Sequence, residues 1–137
     1  MRLRRWTPLT FLVPGRYVAS GTFWEQFDLE EWSRETYDWT QDPWNGFRDF
    51  AKEPERTVED GIGDCEDYAL VALSWAIAQD RSGAGIAFCW EKTRPWPTHV
   101  IAFDDERVYS SGAIREQSVD EWVEQSRYAF TLRRRVT

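Results

Sequence analysis

Apolar residues change their spacing part-way along the chain, and the change falls near residue 80. Before it, helical spacing dominates. Leu9-Thr10-Phe11-Leu12-Val13 reads as a β segment ended by Pro14-Gly15. Asp28 then starts a helix: Asp28 and Glu31 stand at capping-box spacing, and Leu29, Trp32 and Trp39 recur at helical intervals. Asp42-Pro43-Trp44-Asn45-Gly46 has turn chemistry, residues 47–56 are polar and fit neither period, and Thr57 to Asp60 predict one helical turn. The clearest helix covers residues 65–79. Asp64 can cap it, and Ala69, Leu70, Ala72, Leu73, Ala76 and Ile77 spread over so wide a face that the helix is expected to be central and buried.

Beyond residue 80 the pattern is that of strands. Ile86 to Trp90 forms one, and a Pro-rich loop follows from Thr93 to Pro97. His99 to Phe103 and Arg107 to Ser110 read as a hairpin turning at Asp104-Asp105. Ser118 and Glu121 supply a capping box for a short helix over 119–126. Residues 128–136 alternate as an edge-like final strand. Helices first and an antiparallel sheet second make an α+β plan, and 137 residues without repeat or linker make one domain, residues 1–137.

Charge and cysteine usage narrow the functional classes. A formal charge of −7 argues against the basic face expected of a nucleic-acid binder. The nine Trp fit a ring-rich core better than a stacking surface for sugars or bases. Two cysteines, Cys65 and Cys89, do not make a disulfide framework, so both read as free thiols in a reducing, cytoplasmic setting. Arg2, Arg4 and Arg5 before the first apolar run imitate a secretory signal. That run stops at Pro14-Gly15 without a cleavage site, and a strand is the better reading. No stretch has the length of a membrane span, and one histidine with two distant cysteines lacks metal-ligand spacing, so no membrane, metal or cofactor is expected.

The chemistry gathers at Gly61-Ile62-Gly63-Asp64-Cys65-Glu66-Asp67-Tyr68-Ala69. Glycines deliver a cysteine to the first turn of an apolar helix, where unpaired N–H groups and the positive dipole end favour a thiolate and can hold an oxyanion. Against this, Asp64, Glu66 and Asp67 place three carboxylates beside the thiol, and like charge opposes ionisation. These acids read as capping groups on a solvated helix start. His99 is the only histidine, hence the only imidazole base.

Gly63 to Ala69 resembles the motif of the bacterial transglutaminase-like cysteine proteinases, within the transglutaminase and papain-like group. Thr57, Glu59 and Gly61 are similar to the turn before that family's cysteine. Thr98-His99-Val100 and the strand around Tyr128-Ala129-Phe130 extend the likeness to about residues 28–135. The resemblance implies a compact papain-like core with Cys65 as nucleophile and His99 as general base. It also implies a third member near residue 110, where this chain has Ser110 in place of an aspartate. With a turn at Asp104-Asp105, Ser110 would lie directly opposite His99. Trp44 and Asn45 are candidates for the side chain that assists the oxyanion. Two functions follow: a thiol hydrolase acting on a peptide or protein substrate by hydrolysis or acyl transfer, or a binding or assembly protein, such as a viral structural or accessory protein, that keeps the fold without the reaction.

Overall fold

The computed structural model describes residues 13–40 and 52–137. The expected strand over 9–13 lies mostly outside them, and Val13 itself precedes a short 3₁₀ turn, Pro14–Arg16. Two short helices follow, α1 (Thr22–Gln26) and α2 (Leu29–Glu35). Asp28 caps α2, its carboxylate accepting from the Glu31 amide at 3.0 Å. Trp39 is not on that helix. It lies in a two-residue strand, β1 (Asp38–Trp39), and is 53% exposed. Its helical spacing from Leu29 and Trp32 misleads because α2 has already ended at Glu35.

The next segment is longer in helix than its polarity suggests. Pro54 opens α3 (Pro54–Asp60), which Gly61 ends with a left-handed φ of 71°. A two-residue strand β2 (Ile62–Gly63) then pairs in parallel with β1, and α4 (Cys65–Ala78) begins at once. As its sequence implies, α4 is central, with apolar residues buried around most of its circumference.

The second half builds one antiparallel sheet from β3 (Gly85–Glu91), β4 (His99–Phe103), β5 (Val108–Ser110), β6 (Ala113–Arg115) and β7 (Tyr128–Arg135). The strand order is β6-β5-β4-β3-β7, so β7 is the expected edge strand. Helix α5 (Val119–Gln125) precedes β7 and carries the full Ser118–Glu121 capping box. With five helices on a five-stranded antiparallel sheet, the described residues form a mixed α+β fold.

Alternation gives the sheet two covered faces. Ile86, Phe88, Val100, Ala102 and Tyr109 meet Tyr68, Leu73 and other α4 residues, with Trp24 and Leu29 behind them. Ala87, Cys89, Ile101, Phe103 and Val108 form a smaller cluster with Val119 of α5, and Trp122 and Tyr128 pack against it.

The hairpin between β4 and β5 turns one residue later than expected. Asp104 N–H donates to Arg107 O at 3.0 Å, leaving Asp105-Glu106 as the turn. Buried Asp104 decides this. Its Oδ1 accepts from the Glu106 and Arg107 amides at 2.8 and 2.9 Å, while Oδ2 accepts from Arg81 and from the Tyr109 hydroxyl. Burial alone would raise this carboxyl's pKa, but the Arg81, Tyr109 and backbone donors hold it below its ordinary value. Strand β6, not anticipated, follows a two-residue turn in which Ser111 and Gly112 both have positive φ, 44° and 92°. This is the backbone that two-residue hairpins favour.

Candidate active site

Cys65 reaches its position through a tightly packed lead-in. A Cβ on Gly63 would sit 2.7 Å from Asp67 Cβ and 3.2 Å from Thr57 Cγ2, so only glycine lets β2 run this close to the first turn of α4. Asp64 is the N-cap as expected. Its Oδ1 accepts from the Asp67 amide at 2.9 Å, and Asp67 Oδ2 accepts from the Asp64 amide at 3.2 Å. Asp67 also accepts from the Lys52 amide at 2.9 Å. The acids do cap the helix, but its start is not solvated: Asp64, Glu66 and Asp67 are all buried. Cys65 is the first helical residue, and the capping box engages the amides on either side of it without engaging its own N–H.

His99 is the first residue of β4, and its ring lies on the α5 face of the sheet. It stacks on Tyr128 at 5.5 Å between centroids, 9° from parallel, and on Trp122 at 6.2 Å and 26°. Its Nε2 hydrogen-bonds to Ser110 Oγ at 2.7 Å. The expected partner is therefore present, but not by direct opposition. Ala102 pairs with Tyr109 and Phe103 with Val108, a register that brings Ser110 level with Ile101. Ser110 meets His99 diagonally, on the same face because the slip is two residues, a full side-chain period. Helix α4 lies on the other face. Cys65 and His99 thus approach the same end of the sheet from opposite sides, and the backbone N–H of Val100, next to His99, interacts with the Cys65 thiol.

Compared with known proteins, the chain matches no family model, no curated protein and no solved structure.

Charge at the site follows burial. Cys65 keeps some exposed surface, yet burial pushes its thiol well above the ordinary range; Asp64 and Glu66 add to this, and the Val100 amide opposes it. Burial pushes His99 down to about 4, with Arg127 contributing. Both groups are neutral at pH 7. Cys89, whose Cα faces His99 across the β3–β4 ladder, is pushed up to about 12 by burial and is a structural thiol.

A neutral imidazole has one donor nitrogen and one acceptor nitrogen. If Nε2 donates to Ser110, Nδ1 is left as the acceptor, the nitrogen able to take up a proton; in the other tautomer Nδ1 carries the proton. Ser110 can therefore select the tautomer, although its hydroxyl cannot balance an imidazolium as a carboxylate does.

Sequence reasoning missed three neighbours: Trp122 and Tyr128, which enclose the imidazole, and Tyr37, which packs below the α4 start. Trp122 was detectable, since it falls one turn after the Ser118 cap on the face that carries Val119. Trp44 and Asn45, with the whole 42–46 turn, lie outside the described residues. Among the described residues no group of three or more His, Cys, Asp or Glu is arranged to hold a metal ion, and no helix is long and apolar enough to cross a membrane.

Proposed function

We propose that this chain is a thiol-dependent hydrolase of amide bonds with a transglutaminase-like, papain-like core, acting on peptide or protein substrates in the cytoplasm. The observation that carries the reading is the 2.7 Å bond between His99 Nε2 and Ser110 Oγ, together with a cysteine at the first position of α4 whose thiol meets the backbone N–H of Val100, the residue after His99. In the reaction Cys65 Sγ bonds to the substrate carbonyl carbon while its proton passes to His99 Nδ1. The tetrahedral oxyanion faces the Cys65 N–H. The C–N bond then breaks, His99 returns the proton to the leaving amine, and a thioester remains. Water, deprotonated by His99, releases the acid and restores the thiol.

The resting charge state makes this a slow nucleophile. Moving a proton from a thiol with a raised pKa to an imidazole with a lowered one is uphill, and Ser110 does not offset it. The same burial favours a second reading, a binding or assembly protein that retains the fold alone. Alkylation of Cys65 by iodoacetamide across pH 5–10 separates the two, with Cys65→Ala as background. Under the hydrolase reading, Ser110→Asp supplies the missing charge and raises the rate at pH 6 roughly tenfold, the effect of about one unit of pKa. Identical profiles in the wild type and Ser110→Asp, both titrating as an unassisted thiol, would leave the binding reading in place.

A further inference from the structure

Tyr37 sits where the two halves of the site meet, and its hydroxyl has a specific task. It donates to Gly63 O at 2.9 Å and lies 3.5 Å from Asp64 O. These carbonyls belong to the two peptide groups that lead into Cys65, and the second of those groups contains the Cys65 N–H. The ring is nearly buried and clamped. It lies 4.8 Å from the Tyr68 ring and 5.3 Å from Trp32, centroid to centroid. Its other neighbour is Gly112, where a Cβ would come within 3.1 Å of Tyr37 Cδ2. Gly112 is in the β5–β6 turn that immediately follows Ser110, the partner of His99. One side chain therefore packs on the turn that follows the imidazole's partner and bonds to the peptide groups that lead into Cys65.

We infer that Tyr37 is a positioning residue: its hydroxyl fixes the Gly63–Asp64–Cys65 peptide planes, and so aims the Cys65 N–H at the oxyanion formed during acyl transfer. The inference rests on the hydrolase reading above. Gly63 O also accepts from the Thr40 amide at 2.9 Å, so loss of the hydroxyl leaves that carbonyl paired and the fold intact. The lost element is the second anchor, which holds the plane against rotation. Preorganised donors gain their effect from fixed direction, and a loosened one loses part of it.

The test compares two reactions of the same sulfur. Acylation by p-nitrophenyl acetate forms a carbon–sulfur bond, passes through an oxyanion, and expels p-nitrophenolate as the thiol proton leaves by way of His99. Alkylation by iodoacetamide displaces iodide and forms no oxyanion. In Tyr37→Phe, which keeps the ring, the second-order acylation rate is expected to fall about tenfold while alkylation stays within about twofold. Ser33→Ala is the control. It removes the 2.7 Å bond to the Tyr68 hydroxyl in the same aromatic cluster, without touching Gly63 or Asp64, and leaves both rates unchanged. Equal acylation of Tyr37→Phe and wild type overturns the inference, as does a parallel fall in both reactions, which reports general loosening. Wild-type acylation no faster than that of Cys65→Ala removes the hydrolase reading itself, and the role of Tyr37 with it.

Discussion

A neutral His99 carries a consequence for stability in acid. Burial sets its pKa at about 4 in the folded chain against 6.5 for a free imidazole. Between those values the unfolded chain binds a proton that the folded chain refuses. Stability is therefore full above pH 6.5, falls as pH drops toward 4, and levels off below. The difference of 2.5 units corresponds to about 3 kcal/mol at most. His99→Gln, which cannot titrate, isolates this from the carboxylates that respond in the same range. Urea midpoints from pH 7.5 to 3.5 should show the wild type losing about 3 kcal/mol relative to the variant. Parallel curves would mean that the imidazole is far better solvated than its stack on Tyr128 implies. At this scale the sequence was partly legible. Placing Cys65 and His99 needed only a helix cap and a strand. The pairing of His99 with Ser110 survived a wrong turn, because a two-residue slip preserves side-chain parity. The burial of Asp64, Glu66 and Asp67 was not legible. Acidic residues at a helix start are solvated unless something covers them, and here the cover includes Asp67's bond to Lys52 and its packing on Gly63, contacts made by separate segments.

Among the elements, the junction of β2 and α4 is the most constrained. Gly63 has no space for a methyl group: Asp67 Cβ would lie 2.7 Å away, and it belongs to a capping side chain whose position is already fixed by two hydrogen bonds. Gly63→Ala must therefore push β2 from α4 or break the capping box. The expected cost is about 1–3 kcal/mol in chemical denaturation, with Cys65 becoming more accessible to alkylation. A variant as stable as wild type would show that the junction gives way easily. The elements differ in how well sequence announced them. Helix α4 was clear because its apolar positions run almost unbroken behind a capping aspartate. The last strand was clear because Tyr128, Phe130 and Leu132 alternate with Ala129, Thr131 and Arg133. Strand β6 has three residues and no alternation to read; it exists because Ser111 and Gly112 turn the chain back onto β5. Trp39 fitted a helical interval by coincidence, since β1 is defined only by its pairing with β2, more than twenty residues away.

For the whole molecule, strand order matters more than strand content. Strands β3 to β6 follow one another as neighbours, joined by short connections, whereas β7 returns across roughly forty residues to pair with β3. Closing that loop costs more chain entropy than any hairpin in the sheet. During synthesis β7 also leaves the ribosome after every strand it borders. Its first residue, Tyr128, stacks on His99, and Trp122, in the helix just before it, completes the enclosure. Docking of β7 should therefore come late in folding. Pulse-labelled hydrogen exchange would show β4 amides protected before those of β7, and simultaneous protection would contradict this order. The surface that strips water from the imidazole is then the last to assemble. A chain caught before that moment carries a wet, ordinary histidine that ionises near 6.5, and it acquires its suppressed base only on completing its fold.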